Sequence, residues 1–168
     1  MLFLETQKPW PLNAWYHAAW SHEIGSKSPL ARTFLNEDVV LFRDADGKAR
    51  ALTDRCCHRA TPLRLGEVVP EGLQCGYHGM TFNGDGKCVK IPGQKKIPTY
   101  ASVRSYPIIE KQEIVWIWMG DPELADSSKL LVDFPWNDDH LNWPHVHDMY
   151  EVECNYMLLI DNLMDLTH

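Results

Sequence analysis

No stretch of this 168-residue chain approaches the ~20 consecutive apolar residues needed to span a bilayer, so no membrane helix is expected. A basic run is missing too. With a formal net charge of -7, the sequence gives no reason to expect a nucleic-acid surface. The opening Met1-Leu2-Phe3-Leu4-Glu5 has neither a basic segment nor a long apolar core, so no signal peptide is expected. Low-complexity tracts are absent, and nothing repeats beyond two short, similar loops, which excludes a solenoid. Cysteine is sparse: there are five, an odd number, which argues against a complete disulfide framework and for reduced thiols in a cytoplasmic protein.

What is present is a folded-protein composition, with 45% hydrophobic residues, enough for one core and a partial second one. Two stretches carry the chemistry. The first is Cys56-Cys57-His58-Arg59, and the second Cys75-Gly76-Tyr77-His78-Gly79. Each offers one sulfur and one nitrogen, from Cys56 and His58 and from Cys75 and His78. Zinc fingers usually pair Cys with Cys and His with His, at wider spacing on the histidine side. One Cys and one His per loop suits a two-iron cluster in which one iron takes both thiolates and the other both imidazoles. A zinc site, or ordinary core residues, remain the competing readings. Cys57, Cys88 and Cys154 are then left as free thiols.

Around these loops the sequence reads as many short strands. Ala14–Trp20, 31–35, 39–43, 48–53, 73–75, 80–82, 87–91, 103–109 and 114–119 are β-rich runs. Asp46-Gly47 and Asp85-Gly86 supply tight-turn signals, because glycine tolerates positive φ. This spacing predicts an antiparallel β-sandwich or barrel, so the fold class is mainly β. Gly120-Asp121-Pro122 marks a boundary. The sequence divides into a first domain at 1–119, a Pro-, Asp- and Trp-rich connecting segment at 120–146, and the start of a second domain at 147–168. In the connecting segment Trp136 and Trp143 read as packing residues. Beyond it, 146–158 reads as a strand and 160–168 as the start of a helix. Asn162, Asp165 and His168 are spaced three apart and would share one face of such a helix.

With both loops and Asp161-Asn162-Leu163-Met164-Asp165-Leu166-Thr167-His168 in view, the chain resembles the Rieske non-haem iron oxygenases. Asn13-Ala14-Trp15-Tyr16 and Pro92-Gly93-Gln94 resemble the branch of vanillate O-demethylase and dicamba monooxygenase oxygenase components. Two residues depart from the pattern: Cys57, where a proline or small residue is common, and Met80, where Trp or Leu is frequent. The resemblance implies a Rieske domain followed by an α+β helix-grip catalytic domain. It implies a [2Fe-2S] cluster on Cys56, His58, Cys75 and His78, and a mononuclear non-haem Fe(II) with His168 as first ligand. Asn162 would flank that iron, and Asp165 would bridge it to His78 of a neighbouring subunit.

By the same resemblance, the protein is an enzyme, a terminal oxygenase that oxidises an aromatic compound with O2, by O-demethylation or hydroxylation. Its partners are an NAD(P)H-dependent reductase or ferredoxin as electron donor, an aromatic substrate, O2 and its own copies in a homotrimer. The second iron-binding His and the carboxylate would fall beyond His168, so residues 1–168 alone are expected to assemble the cluster without turnover. A Rieske ferredoxin, carrying electrons with no substrate, is the alternative; the segment after residue 120 argues against it.

Overall fold

The computed structural model describes residues 10–130, 132–146, 148, 150 and 151–167. Among them ten strands form three antiparallel sheets. One contains β1 (Ala14–Trp20), β10 (Ile114–Met119) and β9 (Ile108–Lys111), in that order. A second contains β2 (Leu30–Phe34), β3 (Glu37–Arg43) and β4 (Ala49–Thr53). The third contains β5 (Glu67–Val69), β6 (Gly72–Gln74), β7 (Thr81–Phe82) and β8 (Cys88–Lys90). The mainly β reading holds.

Strand β3 explains the layering. Alternate residues of a strand face opposite sides, so a strand covered on both faces reads as an unbroken apolar run. Val39-Val40-Leu41-Phe42 is such a run, and all four are fully buried. Val39 and Leu41 join one core with Ala18, Ala19, Val115, Ile117 and Met119. Val40 and Phe42 join a second with Leu52, Leu63, Leu73, Phe82 and the sulfur-bearing Cys56 and Cys75. In β1 the pairing with β10 skips a residue between His17 and Ala19, which lets two consecutive alanines, Ala18 and Ala19, turn inward. Burying each large apolar side chain stabilises the fold by about 2–3 kcal/mol.

Arg43, at the end of β3, ties the layers together. Its guanidinium donates to the carbonyls of Ser21, Ile24 and Gly47 at 2.7, 3.0 and 2.8 Å. It also makes a two-pronged pair with Glu110 of β9 at 2.7 and 3.0 Å. This bidentate contact holds the Glu110 carboxyl below its ordinary range.

Some expectations change. The run at 103–109 is not a continuous strand: Ser102 and Ser105 make single bridges to Lys87 and Leu52, and regular pairing starts only at Ile108. Pro107 has no N–H to give a ladder. No strand occurs among the described residues from 146 to 155. Those described there are exposed, and a strand without a neighbour leaves its backbone groups unpaired. Strand β5, missed in the sequence, is only three residues long, and one of the three is the charged Glu67. Trp136 and Trp143 are exposed rather than packed inside.

Candidate metal centre

The two ligand loops are built alike. In the first, Cys56 N–H donates to Thr61 O at 2.9 Å, and Ala60 N–H returns to Cys56 O at 3.0 Å. In the second, Cys75 N–H donates to Met80 O at 2.8 Å, and Gly79 N–H returns to Cys75 O at 3.0 Å. Each loop closes through one residue of left-handed backbone, Ala60 at φ 56° and Gly79 at φ 72°. The closure fixes each cysteine at the loop base, so both sulfurs point into the second core, where Cys56 and Cys75 are 3% and 2% exposed. His58 and His78 stand at the exposed rim, with ring centroids 4.5 Å apart. The structure thus brings together all four residues singled out in the two motifs.

Electrostatics suit a site meant to hold metal. Burial, together with the neighbouring Cys75 sulfur, pushes the Cys56 thiol up to about 11, while the His58 N–H donates to its sulfur and opposes the shift. Without metal the Cys56 thiol stays protonated; a bound cation takes the place of its proton. Two buried sulfurs beside two outward imidazoles fit a cluster whose sulfur-ligated iron lies inside and whose histidine-ligated iron lies at the surface. Cys57 is exposed, whereas Cys56 is buried.

Several neighbours support the loops. Asp54, two residues before Cys56, is a buried carboxylate that accepts from Arg64 N–H at 2.7 Å and pairs with the Arg64 guanidinium. It thereby anchors the first loop to the 3-10 turn Leu63–Leu65. Sequence reasoning passed over Asp54, because nothing in a lone Asp reveals burial. At Gly76 an added Cβ would lie 2.6 Å from Leu65 O, and at Gly79 it would lie 2.8 Å from Pro92 Cγ. Glycine is therefore needed for close approach of the second loop to its neighbours. A cavity of about 520 Å3 opens beside the paired imidazoles, lined by His58, His78, Pro92, Gln94 and Tyr100 among others.

The far end of the chain differs from the sequence expectation. Helix α1 (Tyr156–Met164) is capped by the Asn155 side chain and ends one residue before Asp165. Asn162 lies within it, while Asp165 is its C-cap, accepting from Thr167 N–H at 3.0 Å and Thr167 Oγ1 at 2.6 Å. This side-chain turn competes with continued helix, so Asn162 and Asp165 do not lie on one unbroken helix. His168 lies outside the described residues. A second set of metal-capable groups, unforeseen in the sequence, joins Glu113, His140 and His145, whose donor atoms lie within 4.8 Å of one another.

Residues 14–101 match the Rieske [2Fe-2S] domain family. The chain is 45% identical over 156 residues to the toluene-4-sulfonate monooxygenase system iron-sulfur subunit of Comamonas testosteroni, covering 93% of this chain and 44% of that protein. It is 42% identical over 158 residues to a vanillate O-demethylase oxygenase subunit of Pseudomonas sp., covering 94% and 44%. The crystal structure of dicamba monooxygenase superposes with a TM-score of 0.82 at 44% identity, over 91% of this chain and 48% of that one. The chain therefore belongs to the Rieske [2Fe-2S] domain family, and it is similar to the oxygenase components of the vanillate and dicamba enzymes. It spans less than half the length of these curated relatives.

Proposed function

We propose that this chain carries the electron-accepting part of a terminal Rieske oxygenase acting on an aromatic compound. The observation that carries the proposal is the pairing of two equivalent loops, with Cys56 and Cys75 buried and His58 and His78 adjacent at the surface. In this reading Cys56 and Cys75 hold one iron and His58 and His78 the other. The bound [2Fe-2S] group supplies one-electron storage, at a potential raised by neutral histidine ligands. The residues of the chain do the rest. Loop closure at Ala60 and Gly79 fixes the donors, the apolar second core keeps water from the sulfurs, and the exposed rings offer outward N–H groups to an acceptor.

Residues 1–119 then form the Rieske domain, 120–146 the connection, and 147–168 the approach to a catalytic iron held in part by His168. Asp165, next to that position, orients ligand histidines by accepting their N–H groups, and Asn162 flanks them. Electrons come from an NAD(P)H-dependent reductase or ferredoxin, and the substrate is an aromatic ether or a similar ring. Assembly is a homotrimer, which lets Asp165 of one subunit serve the cluster of the next. No described helix is long and apolar enough to cross a membrane.

The test is Asp165→Asn in the oxygenase that carries this chain, supplied with NADH, reductase and an aromatic methyl ether. Turnover is expected to fall by roughly 100-fold while the visible spectrum of the cluster is unchanged. Unchanged turnover would remove Asp165 from the path. Cluster reduction with no O2 consumption by the unsubstituted protein would favour an electron carrier instead.

A further inference from the structure

The β9–β10 hairpin turns through Gln112 and Glu113, both with left-handed backbone, at φ 56° and 61°. Two-residue turns of this hand favour Asn-Gly, so a pair of non-glycine residues there is strained. Here both side chains reach across to the segment after residue 130. Gln112 Oε1 accepts from Phe134 N–H at 2.6 Å, and its Nε2 donates to Asp133 at 2.8 Å. The buried Asn137 donates to Gln112 O at 3.0 Å, and Lys111 pairs with Asp133 at 2.9 Å. The strained turn is thus fastened to the connecting segment on one side. On the other side Glu113 faces two histidines.

His140 Nε2 lies 2.6 Å from Glu113 Oε1, and His145 Nε2 lies 3.9 Å from Glu113 Oε2. His145 Nδ1 donates to Trp143 O at 2.7 Å, which places its proton on Nδ1 and makes Nε2 the acceptor nitrogen. A backbone carbonyl that fixes the tautomer in this way is the usual support of a metal-binding imidazole. The two rings stack at 4.7 Å with planes 17° apart, so a modest ring rotation is needed before both lone pairs meet one ion. Donors on a tetrahedral zinc lie about 3.3 Å apart, given bonds of about 2.0–2.1 Å, and this cluster already spans no more than 4.8 Å.

We propose that Glu113, His140 and His145 bind a divalent cation of the zinc class, separate from the cysteine loops, and that the ion pins the connecting segment to the β9–β10 turn. One carboxylate and two imidazoles form a borderline-soft donor set that suits zinc, with water completing the coordination. The ion replaces the proton between His140 and Glu113, and His140 keeps its N–H on Nδ1. Because Glu113 and His140 are 27 residues apart, the ion closes a loop and fixes how the connecting segment leaves the Rieske domain. The proposal stands on these residues alone and does not depend on the oxygenase reading.

The test uses the full 168-residue chain with its iron loaded, given one equivalent of Zn2+ and desalted. One zinc per chain is expected to remain, with the visible spectrum unchanged and a zinc-edge absorption pattern of N and O neighbours at about 2.0–2.1 Å plus imidazole scattering. Glu113→Gln and His145→Ala are each expected to weaken retention roughly 100-fold or more, with the intact spectrum showing that the variants fold. Sulfur at about 2.3 Å would place the zinc in the cysteine loops and overturn the proposal. Loss of zinc on desalting, or equal retention by both variants, would overturn it as well.

Discussion

Ala60 and Gly79 hold the same place in two different loops: each has left-handed backbone, and each returns its N–H to the carbonyl of its own loop's cysteine. Only one of them is glycine. Ala60→Gly removes strain of about 1–2 kcal/mol but adds freedom to the unfolded chain, so stability is expected to change by less than about 1 kcal/mol. Gly79→Ala adds a Cβ that meets Pro92 at 2.8 Å, and is expected to destabilise by about 1–3 kcal/mol. Denaturant unfolding of the two variants checks the asymmetry; equal losses would mean that the contact with Pro92 does not set the cost at Gly79.

The neighbouring cysteines separate cleanly. Cys56 is buried at the loop base, while Cys57 is exposed. Cys57→Ser should keep the cluster's colour and about two irons per chain, and Cys56→Ser should lose both. Iron analysis with visible absorption reads this, and the opposite pattern would shift the first loop by one residue.

Asp54 provides a test of support from outside the motifs. Its side chain is fully enclosed, while that of its partner Arg64 is 42% exposed. Breaking a buried pair costs about 3–5 kcal/mol, and Asp54→Asn keeps part of the hydrogen bonding, so a loss of roughly 2–4 kcal/mol is expected. Iron should also leave faster on dilution. A variant as stable as the unsubstituted protein would remove Asp54 from the frame of the first loop.

Much of this was legible in the sequence because the signals are local. Ala14–Trp20 is a β-rich run whose ends are those of the strand, Asp46-Gly47 marks its turn, and the four proposed cluster residues stand out by their spacing. What stayed hidden depends on distant neighbours. Asp54, Arg43 and Glu110 look like ordinary surface charges until the fold encloses or pairs them. Glu113, His140 and His145 form no motif at all, since the hairpin and the connecting segment meet only in three dimensions. The strand expected at 146–158 fails for a complementary reason: among the described residues no neighbouring strand pairs with that stretch.

Acid sensitivity should run through Arg43 and Glu110. Glu110 is held below its ordinary carboxyl range in the folded protein. Its contribution is therefore present above the unfolded value, about 4.3, and is lost as pH falls through the depressed folded value. Thermal melts from about pH 6 down to about pH 3 should show a shallower acid limb for Glu110→Gln. Identical acid limbs would mean that other carboxylates dominate.

The central claim is that Cys56, His58, Cys75 and His78 together hold one two-iron cluster. Redox titration of the iron-loaded protein, followed by visible absorption and electron paramagnetic resonance, tests it most directly. The account predicts about two irons per chain, a Rieske-type signal on reduction, and a midpoint between about -150 and +300 mV. A midpoint near about -400 mV, as in plant-type ferredoxins with four cysteine ligands, or a colourless protein with zinc bound through sulfur, would contradict it.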